Sequence, residues 1–249
     1  QPFSSFSIVE GEGLKQWLRR NMETAEVLPG AAIEAGEGHS GHGFRCIIFD
    51  FDQTLTVVPQ VAEHRVRPGF DDKKPNMRYL QEQCFGGADR LQLLREALQQ
   101  LSSEWGTELL IVSFEERGFI AEVLRLLDAL QYFGNGKEDG VESCIFGWNE
   151  VWNSLGRPVA SKGEFIRALM EQRGWGYDDV LFIDDQSTNI KSCTSVCRTH
   201  WIRSEAGLSS EELQQLKVTG GRAFAARLSR PRSPDGALPA PRAEPACGV

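Results

Sequence analysis

Three groups of polar residues stand directly behind apolar runs. Asp50-Phe51-Asp52-Gln53-Thr54 follows Phe44–Phe49, Ser113 follows Glu108–Val112, and Asp184-Asp185 follows Val180–Ile183. Short apolar runs bounded by polar residues read as strands buried on both faces. In an open parallel sheet the carboxyl ends of the strands border the ligand crevice, so these residues are expected at one sheet edge. On an extended chain residues two apart point the same way, which turns Asp50 and Asp52 toward one spot. Four carboxylates gathered there repel by about 4 kcal/mol per pair at ~4 Å and an effective dielectric of ~20. A cation therefore belongs among them. An all-oxygen ligand set that shares its ion with a phosphate suits Mg2+, which keeps several waters.

A phosphate needs further positive charge, and Lys162 is the candidate. Ser161-Lys162-Gly163-Glu164 has the pattern of a capping box at a helix start. A lysine in the first turn opposes the helix dipole, and a bound anion there would offset the mismatch. Each of these features has a plainer reading. Ser113 with Glu116 fits a capping box, Asp184-Asp185 can cap a following helix, and a lone lysine is usually solvated. Asp50 and Asp52 resist such readings, because unpaired charges at the end of a buried strand are costly.

The elements that must carry these residues alternate. Besides the three runs already named, Ser143–Phe146 and Thr199–Ile202 read as strands. Leu91, Leu94, Leu98 and Leu101 share one helical face, as do Phe119, Val123, Leu127 and Leu130, and Phe165, Ile166 and Leu169 form a third stripe. Strands alternating with amphipathic helices predict a Rossmann-like three-layer α/β/α sandwich with a mainly parallel sheet. Residues 1–43 read as an appendage holding one helix, Leu14–Met22, and a Gly-rich connector in which His39 and His42 are solvated. Residues 44–228 read as the catalytic domain, and from 229 to 249 repeated proline predicts a disordered tail. Trp148 and Trp152, near the carboxyl end of the third run, either flank the site or pack as core, and core is expected. Six cysteines spread along the chain, with Cys46 and Cys144 inside apolar runs, indicate core usage in a reducing compartment.

The run Ile47–Thr56, an apolar strand followed by Asp-x-Asp-x-Thr, resembles the first motif of the haloacid dehalogenase-like (HAD) phosphohydrolases. Ser113, Lys162 and Phe182-Ile183-Asp184-Asp185 with Asn189 resemble the second, third and fourth motifs, in the family's order across residues 44–203. The resemblance implies that Asp50 attacks phosphorus to form an aspartyl-phosphate, while Asp52 protonates the leaving oxygen and then activates water. It implies that Ser113 and Lys162 hold the phosphoryl oxygens and that Thr54 braces the loop at the phosphate site. Mg2+ would be held by Asp50, the Asp52 main-chain carbonyl and Asp185, with help from Asp184. Gln53 departs from the glycine frequent in the family, and Phe114-Glu115-Glu116 brings extra negative charge beside Ser113. The family's large caps do not fit the spacings here, so an open site is expected, with residues 57–87 forming at most a small insert or lid. Its His64, Arg65, Arg67, Lys73, Lys74 and Arg78 are the first candidates for substrate contact.

A net charge of −8 disfavours nonspecific attraction to nucleic acid or anionic lipid. No run reaches the ~20 apolar residues of a spanning helix, and no signal-peptide pattern opens the chain, so a soluble, cytoplasmic protein is expected. The chain begins at Gln1, as a piece of a longer protein would. The leading expectation is a Mg2+-dependent phosphatase acting on a phosphorylated small molecule or phosphoprotein. The second is a catalytically weak relative that binds phosphorylated partners, and the third, a receiver-like phosphoryl switch, fits poorly because a switch needs no acid two residues beyond its acceptor.

Overall fold

In the computed structural model, residues 43–59, 61, 76–133, 144–153 and 159–224 are described. The expected N-terminal helix, His39, His42, the insert from 62 to 75 and the tail lie outside them. Five strands form one parallel sheet: β1 (Cys46–Phe49), β2 (Glu108–Val112), β3 (Ile145–Phe146), β4 (Val180–Asp184) and β5 (Arg198–Trp201). Every residue of β1 and β4 is buried, as the apolar runs Cys46–Phe49 and Val180–Ile183 require, and the buried Asp184 closes β4. Helices α1 (Ala88–Ser103), α2 (Arg117–Leu126), α3 (Trp148–Asn153), α4 (Lys162–Arg173) and α5 (Ser187–Cys193) lie between the strands, and α6 (Ser210–Thr219) follows β5. α1 packs against α6, and α4 packs against α5. This is the α/β architecture with a parallel sheet that the alternating pattern predicts.

The strand order is β3-β2-β1-β4-β5. The chain builds outward from β1 to β3, then crosses back to the other side of β1, so the direction of winding reverses between β1 and β4. Such a reversal opens a crevice at the carboxyl ends of the two strands. Register fixes what lies there: Phe49 pairs with both Ile111 and Ile183, and Asp50 N–H donates to the Ile183 carbonyl at 2.9 Å. Asp50 thus leaves the sheet beside Asp184 and one strand from Ser113.

Two boundaries differ from expectation. Only Ile145–Phe146 of the third run is paired, and β5 begins one residue earlier, at Arg198. The Leu91, Leu94, Leu98 and Leu101 stripe is wholly buried on α1. The next stripe outlasts its helix. α2 stops at Leu126, Asp128 takes a positive φ of 49°, and Leu130 sits in a separate 3-10 turn while Leu127 stays buried. Tertiary burial of the leucines continued the periodic pattern past the point where the backbone ceased to be helical.

Candidate active site

Asp50 is extended (φ −73°, ψ 165°), as is Asp52 (φ −70°, ψ 135°), and the chain then turns sharply at Gln53 (φ 51°, ψ 18°). Gln53 thus holds the left-handed conformation that glycine adopts at least cost. The turn is braced by Thr56, whose Oγ1 accepts from Gln53 N–H at 3.0 Å and donates to the Val58 carbonyl at 2.9 Å. This corrects the expectation for Thr54. Its side chain is fully buried, its hydroxyl finds no partner, and it is not among the described residues around the pocket. Past the sharp turn at Gln53, residue 54 faces the core and residue 56 faces back across the loop.

The crevice is a cavity of about 350 Å³ bordered by Asp50, Asp52, Ser113, Lys162 and Asp185, together with Gln53, Pro59, Phe114, Glu115 and Gln186. Lys162 is 1% exposed, and its Nζ donates to Asp50 Oδ1 at 2.6 Å and to Asp184 Oδ2 at 2.8 Å. Asp184 is spent on internal bonds. Besides Lys162 it accepts from Asn189 Nδ2 and from Gln186 N–H at 2.7 Å, and it stands behind the pocket wall. Asp185 is different: its Oδ1 is buried without a hydrogen-bond partner. Ser113 Oγ accepts from Glu115 N–H at 3.1 Å, which leaves its O–H to donate toward the cavity. The capping-box alternative for Ser113 is not what forms, since α2 begins at Arg117 behind Glu116 with no side-chain cap. Ser161 does cap α4, accepting from Glu164 N–H.

Carboxylate oxygens of Asp50, Asp184 and Asp185 lie within 4.8 Å of one another. An all-oxygen donor set with one orphaned buried carboxylate oxygen fits a hard divalent cation such as Mg2+. The Asp52 side chain falls outside this cluster, and only its main-chain carbonyl is expected to serve the ion. Asp52 Oδ1 accepts from Val61 N–H at 3.0 Å. Val61 is a fully buried member of the 57–87 segment, and nothing in its sequence marked it as a support for the acid.

Burial is the first cause of the site's unusual acidities. It raises Asp52 to about 7 against the pull of the Val61 hydrogen bond. It raises Asp184 to about 6, with the Asp50 charge adding to the effect, and it lifts Asp50 and Asp185 as well. Burial also works against charge on Lys162, but Asp50 and Asp184 outweigh it and hold the ammonium above its usual value. A carboxyl that grips its proton more tightly folded than unfolded loses stability as pH rises from its unfolded to its folded value. In a chelating buffer, stability is therefore expected to fall from about pH 4 to about pH 7 and then level. Mg2+ should raise the melting temperature more at pH 7.5 than at pH 5, because protons compete for the same oxygens. A Mg2+ shift independent of pH would contradict this account.

Gly163 seats the lysine. A Cβ there would lie 2.1 Å from the Ser192 carbonyl oxygen, so α4 and α5 touch through backbone, and Gly163 N–H donates to Ser192 Oγ at 3.2 Å. Alanine normally favours a helix by about 1 kcal/mol over glycine. Here Gly163→Ala must instead push the two helices apart and carry Lys162 with them. We expect a lowered melting temperature and, for any reaction that uses Lys162, a roughly ten- to hundredfold loss of rate, the scale of a displacement near 1 Å at a reacting site.

Trp148, expected in the core, is exposed and meets Phe114 edge to face. It opens α3 directly after β3, where the chain has already left the sheet. The five described cysteines are buried, and among the described residues no helix is long and apolar enough to cross a membrane.

Comparison with known proteins gives a match over residues 159–204 to a family described as a protein of unknown function (DUF2608). Comparison with curated proteins returns no match. Among solved structures, the chain is similar to a HAD-superfamily hydrolase, subfamily IA, from Geobacter sulfurreducens at 18% identity, covering 65% of this chain and 90% of that one, TM-score 0.38. It is similar to the HAD domain of effector protein Lem4 from Legionella pneumophila at 13% identity, covering 74% and 98%, TM-score 0.46. A haloacid dehalogenase-like hydrolase from Streptococcus pneumoniae has 13% identity over 69% and 90%, TM-score 0.39. Likenesses of this strength leave the function to be read from the site itself.

Proposed function

We propose that this chain is a Mg2+-dependent phosphatase that hydrolyses phosphate monoesters through an aspartyl-phosphate on Asp50. One observation carries the reading: a buried lysine fixes one oxygen of Asp50, while Asp52, two residues on, holds its proton up to about neutral pH at the same cavity. These are the two groups that phosphoryl transfer to a carboxylate requires.

The other oxygen of Asp50 attacks phosphorus, and the bond from phosphorus to the ester oxygen breaks. Asp52 gives its proton to the departing oxygen. The resulting Asp52 carboxylate then takes a proton from water, which attacks the aspartyl-phosphate, restores Asp50 and releases phosphate. Lys162 and the Ser113 hydroxyl hold phosphoryl oxygens throughout. Asp50 and Asp185, with the Asp52 carbonyl and with Asp184 orienting Lys162, would hold Mg2+, whose charge offsets that developing on the transferred group. Substrates are phosphorylated small molecules or phosphoproteins in the cytoplasm.

The test is phosphate release from p-nitrophenyl phosphate with Mg2+ and with chelator. Release that requires the cation is expected, and equal release in both would overturn the reading. A second reading, a binding protein with weak turnover, draws on Glu115, which borders the phosphate cavity beside Ser113 and adds to the charge that raises Asp52. Phosphopeptide binding in a preparation without turnover would favour it.

A further inference from the structure

One exposed aromatic ring borders the cavity, and a second stands against it on the outer side. Phe114 is 42% exposed and borders the cavity; Trp148 is 44% exposed, and their centroids lie 6.4 Å apart at 64°. Exposed rings on mobile loops are unremarkable, but these stand on a laced backbone. Ser113 N–H donates to the Phe146 carbonyl and Trp148 N–H to the Glu115 carbonyl, at 2.9 and 3.0 Å. Gly147 lies between them, where a Cβ would come within 2.4 Å of Arg117 N and 2.6 Å of the Glu115 oxygen. Arg117 also pairs with Glu150 at 3.4 Å. The segments after β2 and β3 are therefore fastened together, which fixes the backbone of Phe114 at the cavity and that of Trp148 next to it. Lys162 Nζ is 5.2 Å from the centre of the Phe114 ring, so that ring spans from the phosphate-holding cation to the open rim.

The polar rim has the opposite character to a cradle for a charged leaving group. Asp52, Glu115 and Asp185 border the cavity with Lys162 as the cation among its described residues. A second phosphate or carboxylate on the substrate would meet carboxylates, whereas a flat uncharged ring would meet Phe114 and Trp148.

Building on the phosphatase reading, we propose that the site selects aryl phosphate monoesters, the phosphorylated phenols exemplified by a tyrosine side chain, through the Phe114–Trp148 platform. Placed with its phosphorus at Asp50, such an ester extends its ring outward along Phe114 toward Trp148. Alkyl esters such as phosphoserine gain the phosphate contacts alone.

Leaving-group acidity favours aryl esters in any phosphatase, so the test uses phosphonates, which have no leaving group. Calorimetric binding in Mg2+ is expected to be about three- to tenfold tighter for phenylphosphonate than for n-butylphosphonate, the worth of an aromatic pair beyond its area. Trp148→Leu and Phe114→Leu, which keep the surface apolar, should each bring that ratio toward one, and in turnover should lower the preference for phosphotyrosine over phosphoserine. Equal binding of the two phosphonates, binding of neither, or a ratio that both variants leave unchanged overturns the platform. Tighter phenylphosphonate binding without phosphate release from any ester would overturn the catalytic reading and leave the aryl preference standing.

Discussion

Asp50→Asn lowers Mg2+-dependent phosphate release by roughly 10⁴-fold or more, the scale on which removal of a nucleophile leaves only binding and electrostatics. The amide keeps the shape of the carboxyl and can still accept from Lys162, which also retains Asp184 as a partner at 2.8 Å, so the fold persists. The variant is separable from a misfolded one. A neutral side chain removes one of the carboxylates that burial disfavours, so in a chelator near pH 7 the variant unfolds at or above the wild-type temperature. It also loses much of the stabilisation that Mg2+ confers on the parent. Unchanged turnover would remove Asp50 from the chemistry, and loss of turnover with loss of folding would leave the nucleophile unassigned.

The second large effect belongs to Lys162. Lys162→Met keeps an unbranched side chain of similar length but leaves Asp50 and Asp184 facing each other without a cation. Breaking a buried pair by removing one partner costs about 3–5 kcal/mol. We expect a loss of that order at pH 7.5 in chelator. The loss should shrink as pH falls toward the Asp184 value of about 6 and level below it, because carboxyls deprived of the ammonium take up protons at higher pH. Mg2+ should restore part of the stability at neutral pH, since a second cation then serves the same oxygens. Turnover should stay low even in Mg2+, for want of the group that holds the phosphoryl oxygens. A penalty that stayed the same at every pH would mean that Lys162 acts by packing rather than by charge.

Gln53 and Gly163 illustrate opposite kinds of legibility. Gln53 stood out in the sequence as a departure at a position where the resembled motif often has glycine, and the backbone explains that preference: the residue sits at φ 51°. Its side chain has a use that glycine lacks, bordering the cavity and reaching the Glu205 carbonyl at 3.4 Å. Gly163 gave no such signal. Its requirement comes from Ser192, 29 positions away, and no local rule connects the two. Thr54 and Thr56 make the same point within three residues. Both have the right chemistry to brace the loop, and the one-residue turn at Gln53 decides that Thr56 does it.

Local chemistry settled the sheet, the helical faces of α1 and α4 and the order of polar residues at the strand ends, because burial imposes a period on side chains that is readable from neighbours alone. Proximity across the chain belongs to the folded molecule. That Lys162 bridges Asp50 and Asp184 follows from β1 and β4 lying side by side, while the hold of Val61 on Asp52 and the unpartnered oxygen of Asp185 depend on how the loops after those strands pack. The exposure of Trp148 beside Phe114 was likewise beyond local reach, since an aromatic next to a buried strand packs inward or outward according to where the chain leaves the sheet. Distances between segments are set by packing of the whole core, and a sequence read residue by residue contains no term for them.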